Sequence, residues 1–197
     1  MSTKSEKPRI FQNFWKDFFY DLRVLHSIFK TSPVAKHGWQ HSLLWGGLLQ
    51  YCRKCPDAVA EICGGVEAPQ LTGCVQFYQE NGCVLIVARV SGLPRVSETG
   101  FFGFHIHQGE SCSGADFSET GSHYNPTGQA HPKHAGDLPP LLACQGNAYL
   151  SVKTDRFSVN EIIGRTVVIH NDPDDFHSQP AGNARKKIAC GMIRKRR

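Results

Sequence analysis

The chain has 197 residues, 40% of them hydrophobic, with a formal net charge of +5 and eight cysteines. That length supports one ordinary domain with a real core and an extension, and the absence of any run of 18 apolar residues argues against a transmembrane span. The positive charge is local: residues 1–56 hold nine Lys and Arg against three acids, and residues 57–197 hold thirteen against fourteen, so the body is not basic and no nucleic-acid function is expected.

Residues 11–30, FQNFWKDFFYDLRVLHSIFK, place Phe11, Phe14, Trp15, Phe18, Phe19, Leu22 and Leu25 at spacings of three and four. This predicts an amphipathic helix that packs by its apolar face. Its polar face is only mildly basic, which argues against a membrane-surface role. Asp17, Asp21 and Arg23 interrupt the apolar positions, so the segment does not read as a signal peptide. The cytoplasm is then the default expectation, and the eight cysteines do not decide the compartment. Residues 31–56 show no clear period. Cys52 and Cys55 form a CxxC without a second pair nearby, and are taken as ordinary cysteines rather than half a zinc site.

From residue 57 the pattern changes to strands. TGCVQFYQ and NGCVLIVARVSGLP are joined through Asn81 and Gly82, which predicts a hairpin. FFGFHIHQG, NAYLSVKT, GRTVVIH and KIACGMI follow as further strands. Between them lie two long segments, about 109–145 and 171–186, rich in Gly, Pro, Ser, His and Asp; loops of that length in a compact domain usually carry function. Cys63, Cys74, Cys83 and Cys144 are expected to be small buried apolar residues.

The histidines concentrate in this region. His105 and His107 are two apart in a predicted strand, so both imidazoles leave the same face. His123, His131 and His134 share the first long segment with Asp137, and His170 closes VVIH. Three imidazoles and one carboxylate suit tetrahedral zinc. His105, His107 and His170 with one more imidazole form an all-nitrogen set, for which Cu(II) stands highest in affinity. His123 is the natural shared ligand, because imidazolate can bind one metal through each nitrogen. His177 is left over and expected in solvent.

GFHIHQG, GSHYNP, HPKHAGDL, IIGRTVVIHNDPDD and GNARKKIACG, together with Cys112 and Cys190, resemble the copper/zinc superoxide dismutase family over about residues 57–193. The resemblance implies an all-β Greek-key sandwich or flattened barrel of about eight strands, preceded by a partly helical extension over 1–56 and followed by a basic tail, 194–197. It implies copper on His105, His107, His123 and His170, and zinc on His123, His131, His134 and Asp137. Asp174 matches the aspartate that joins the two sites by accepting from one histidine of each. Cys112 and Cys190 match the family disulfide, and Gly191 a point of close backbone approach. The implied reaction converts superoxide anion to dioxygen and hydrogen peroxide, with copper cycling between Cu(II) and Cu(I), zinc structural, and His123 carrying a proton. A homodimer is a possible assembly.

The sequence departs from the pattern at Lys187, where the best-known members carry an arginine that guides the anion. Lysine keeps the charge and loses the planar fork; Arg185 or Lys186 offers compensation. The second long segment is also shorter and lacks the Glu and Lys steering cluster of well-known eukaryotic members, so guidance is expected to be weaker or redistributed. The alternative reading is a non-enzymatic protein that sequesters or delivers copper and zinc. The two differ in whether the copper is redox-active and open to a small anion.

Overall fold

Alternation of period two organises the long strands of the computed structural model, which describes residues 54–95, 99–114 and 116–196. The predicted helix over 11–30 and Cys52 of the CxxC lie outside the described residues. The elements are β1 (Ala58–Gly64), β2 (Thr72–Gln79), β3 (Val84–Ser91), β4 (Phe101–Phe102), β5 (Phe104–His107), β6 (Leu141–Cys144), β7 (Asn147–Thr154), a short helix α1 (Val159–Ile162), β8 (Thr166–His170) and β9 (Lys187–Lys195). Val84, Ile86, Ala88 and Val90 of β3 point inward with Val75 and Phe77 of β2, while Arg89 and Ser91 face out. Phe77, Phe102 and Phe104 are fully buried, each contributing on the order of 2–3 kcal/mol by leaving water.

The strands pair antiparallel in the order β4-β6-β7-β3-β2-β1-β9-β8-β5. The pairings of β3 with β7 and of β1 with β9 join strands distant in sequence, which is the Greek-key pattern. The two outermost strands, β4 and β5, are consecutive in the chain, so the sheet curls into a nearly closed barrel. FFGFHIHQG, expected as one strand, is split at Gly103: β4 pairs with β6 and β5 with β8. Counting them as one interrupted strand gives eight. Gly103 is needed for space, since a Cβ there would lie 2.9 Å from the Cβ of Ala184 and 3.1 Å from that of His170. Gly191 is likewise a close approach, its missing Cβ falling 2.4 Å from the Glu61 carbonyl oxygen.

Two elements carry weak sequence signals. β1 (AVAEICG) opens the domain, and β6 is a four-residue strand inside the predicted loop 109–145. The unassigned cysteines differ from expectation: Cys63 and Cys144 are exposed, and Cys74 and Cys83 are half-buried. Cys63 and Cys144 occupy outward positions of the strand alternation, so the core does not receive them. Among the described residues no helix is long and apolar enough to cross a membrane.

Candidate metal centre

Phe104 and Ile106 of β5 enter the core, so His105 and His107 turn to the opposite face. One side of β5 pairs with β8; the other is covered by the long loop, which returns antiparallel and sets His107 opposite His123 and His105 opposite Asp137. Backbone bonds hold that return: Tyr124 N–H donates to the Ile106 carbonyl at 2.8 Å, and Ile106 N–H to the Gly136 carbonyl at 2.9 Å. A Cβ at Gly136 would lie 2.2 Å from the Ile106 carbonyl oxygen, so the loop needs a glycine there. His170 ends β8 at an irregularity in its pairing with β9, opposite Lys187.

This packing gathers two donor sets, His105, His107, His123, His170 and His123, His131, His134, Asp137, whose candidate ligand atoms lie within 4.8 Å of one another in each set. All seven residues are buried. Four of their nitrogens have no hydrogen-bond partner: His105 Nδ1, His123 Nε2, His131 Nδ1 and His134 Nδ1. Asp137 oxygens come within 3.0 Å of His131 Nδ1 and 3.2 Å of His134 Nδ1, but without hydrogen-bond geometry. Buried nitrogens left unpaired are costly unless a cation takes their lone pairs.

The opposite ring nitrogens set the tautomers. His107 Nδ1 donates to the Gly121 carbonyl at 2.9 Å and His170 Nδ1 to the Arg185 carbonyl at 3.2 Å. The Nε2 atoms of these two rings therefore present lone pairs to each other at 3.2 Å, an arrangement that suits a shared metal ion and no hydrogen bond. His105 Nε2 and His131 Nε2 donate to the two oxygens of Asp174 at 2.7 and 2.9 Å, which leaves both Nδ1 lone pairs free for a metal. His123 belongs to both sets, with Nδ1 2.7 Å from Asp137 Oδ1 and a buried Nε2 that has no partner. The residues present thus fit two metal ions sharing one imidazole.

Burial also disfavours protonation of three rings of the first set. It lowers His105, pushes His107 well below its usual value, and takes His170 down to about 3, with the neighbouring imidazoles acting in the same direction. Burial alone would raise the two aspartates. Bonds from His105, the Phe176 N–H and His131 outweigh it at Asp174, which falls to about 2, and His123, with the other imidazoles, lowers Asp137. Both stay anionic.

Around these sets, Lys187 Nζ donates to Thr120 Oγ1 at 2.8 Å, to the Gly121 carbonyl at 3.0 Å and to the Phe117 carbonyl at 3.4 Å. The Gly121 carbonyl also accepts from His107, so Lys187 is one acceptor away from the first set. Cys112 is bonded to Cys190, with Cα atoms 5.7 Å apart, and ties the loop to β9. His177 is exposed and belongs to neither set.

Two positioning residues escape a sequence reading. Arg156 Nη1 donates to the carbonyls of Asp137, His134 and Pro132 at 2.9, 3.2 and 3.3 Å. Gln179 pairs with the backbone of His131, donating to its carbonyl at 2.7 Å and accepting from its N–H at 3.0 Å. Nothing in the sequence around Arg156 marks it, whereas Gln179 lies in the second long segment expected to carry function.

Two buried donor sets joined by one imidazole on an antiparallel barrel define a binuclear metalloprotein. The family model for copper/zinc superoxide dismutase matches residues 71–193. Superoxide dismutase [Cu-Zn] 2 of Aquifex aeolicus is 36% identical over 140 residues, covering 64% of this chain and 80% of that protein. Superoxide dismutase [Cu-Zn] 3 of Arabidopsis thaliana is 36% identical over 154 residues, covering 69% and 88%. The chain belongs to the copper/zinc superoxide dismutase family: it is an enzyme of that family, and its cofactors are copper and zinc.

Proposed function

We propose that this chain converts superoxide to dioxygen and hydrogen peroxide, with copper held by His105, His107, His123 and His170 and zinc by His123, His131, His134 and Asp137. The observation that carries the reading is His123, whose Nδ1 faces Asp137 while its unpartnered Nε2 belongs to the other donor set. Bound copper supplies reversible one-electron transfer between Cu(II) and Cu(I), and zinc, which has no redox chemistry, supplies a fixed charge and geometry. His123 Nε2 takes up a proton in one half of the cycle and returns it to the reduced oxygen in the other, while its Nδ1 keeps the ring oriented. Asp174 holds His105 and His131 in the tautomers that present Nδ1. Lys187 places a positive charge at the entrance and draws in the anion. The Cys112–Cys190 bond keeps the loop bearing the Gly121 carbonyl against β9.

The reading assigns residues 57–193 to the catalytic domain, 1–56 to an extension and 194–197 to a basic tail, with a homodimer as the assembly to seek by sedimentation. The decisive experiment measures superoxide consumption by protein holding one copper and one zinc per chain, against His107→Ala and a chelator-treated control. Fast turnover that resists mild chelation and is lost in the variant supports the enzyme. A rate no higher than the controls at full occupancy assigns the chain to metal sequestration or delivery.

A further inference from the structure

Cys63 on β1 and Cys190 on β9 are partners in register. Residues directly opposite in an antiparallel pair share a face, with Cβ atoms about 4.5–5.5 Å apart. Ala60 and Ile62 take the inward positions of β1, so Cys63 points away from the core. On that outer face Cys190 is already bonded to Cys112, beside Val168 and Phe117. Cys63 is exposed and unbonded. The loop bearing Cys112 also reaches β1 just past this point: a Cβ on Gly65 would lie 2.8 Å from the Phe117 ring. One thiol and one disulfide therefore meet at a single place on the barrel wall.

We propose that Cys63 is a thiol–disulfide exchange site for the Cys112–Cys190 bond. The Cys63 thiol gives its proton to solvent, and the thiolate attacks Cys190 Sγ. The Cys63–Cys190 bond forms as the Cys190–Cys112 bond breaks, and Cys112 leaves as a thiolate that takes up a proton. One disulfide is present before and one after, so the step needs no external oxidant or reductant. The Cα separation of opposed residues, about 4.5–5.5 Å, falls within the range of about 4.4–6.8 Å that a disulfide spans, so the strands need not move. Cys74 does not compete. It stands opposite Glu61, diagonal to Cys63 at about 7–8 Å, and burial with the Glu61 charge pushes its thiol up. Exchange keeps Cys190 bonded while it unties the loop that carries Thr120 and Gly121, the acceptors of Lys187.

The test uses the full chain with both metals and the Cys112–Cys190 bond formed, held dilute at several values between about pH 6 and 9 without added thiol, then alkylated and mapped by mass spectrometry. The expected product is a Cys63–Cys190 peptide with alkylated Cys112. It forms at a rate independent of protein concentration and faster at higher pH, because the thiolate is the nucleophile. Cys63→Ser abolishes it and Cys74→Ser leaves it unchanged. In Cys112→Ser, oxidised glutathione, which takes up the two electrons, drives direct closure of Cys63 onto Cys190 and protects Cys63 from alkylation. Cys112 unlabelled across the whole pH range, or Cys63 fully alkylated in Cys112→Ser, overturns the proposal.

Discussion

Lys187 Nζ donates to Thr120 Oγ1 at 2.8 Å, and with the Gly121 and Phe117 carbonyls this occupies all three of its N–H directions. The ammonium is fixed in place beside the first donor set, and no donor remains for an anion. A guanidinium fork has five donors and can keep the same three acceptors with two to spare. Lys187→Arg is therefore expected to raise kcat/KM for superoxide, by about two- to tenfold. Lys187→Ala is expected to lower it by about tenfold or more, with a weaker dependence on ionic strength because the steering charge is gone. Pulse radiolysis at two salt concentrations reads both.

The same lysine is expected to set an alkaline limit. Burial lowers Lys187 below the usual lysine value of 10.5, so its proton is lost at lower pH than from a free lysine. Its charge, and under the proposed function the guidance of the anion, is present below that lowered value and disappears as pH rises through it. The alkaline fall in kcat/KM is expected to begin below pH 10.5, and Lys187→Arg is expected to move it upward, since arginine keeps its proton above about pH 12. Coincident alkaline limbs for the two proteins would separate this fall from Lys187.

Asp174 joins the two donor sets by accepting from His105 and His131 through different oxygens. Asp174→Asn keeps the shape and replaces one acceptor by a donor, so one imidazole loses its partner and its fixed tautomer. Affinity for the metal on that side is expected to fall by about 10–100-fold, read by competition against a coloured chelator for copper and zinc separately. Unchanged affinity for both metals would remove Asp174 from a positioning role.

Much of this centre was legible because its ligands lie in short runs with fixed offsets. His105 and His107 lie two apart in an apolar run, and strand geometry alone places them on one face. His131, His134 and Asp137 follow at spacings of three. The loop's return along β5 is a different kind of information: it depends on backbone bonds such as Ile106 to Gly136, which leave no side-chain pattern. β6 is hidden for a similar reason, since LLAC is too short for its alternation to stand out from the loop. The outward positions of Cys63 and Cys144 follow from strand register, and cysteine's usual burial pointed the other way.

Arg156 approaches the second donor set from the turn after β7 and holds the carbonyls of Pro132, His134 and Asp137 from outside. Among the described residues no other side chain gathers three carbonyls of the loop that bears these ligands. Arg156→Gln retains at most two donors on a shorter side chain, so the loop samples more conformations before zinc closes it. Under the proposed assignment zinc affinity is expected to fall by about tenfold while copper affinity stays within about twofold, because Arg156 bonds to the backbone of the second set's loop and to none of His105, His107, His123 and His170. An equal loss of both metals would point to general unfolding.

The buried imidazoles also make the metal-free protein sensitive to acid. Burial is the main cause that takes His170 from the usual histidine value of 6.5 down to about 3, so the folded chain resists a proton that the unfolded chain accepts. Between pH 6.5 and about 3 the unfolded state binds more protons, and stability falls as pH drops through that window. Above 6.5 the group is neutral in both states and costs nothing. His105 and His107 are lowered in the same direction and steepen the loss, whereas Asp174 adds its share only below 3.8. Each group contributes a slope of at most about 1.4 kcal/mol per pH unit. Urea unfolding of metal-free protein at pH 7 and 5 is expected to show a lower midpoint at the acid value, and His170→Asn, which cannot titrate, is expected to narrow the difference. Equal midpoints in the parent protein would show that these imidazoles accept protons in the folded state.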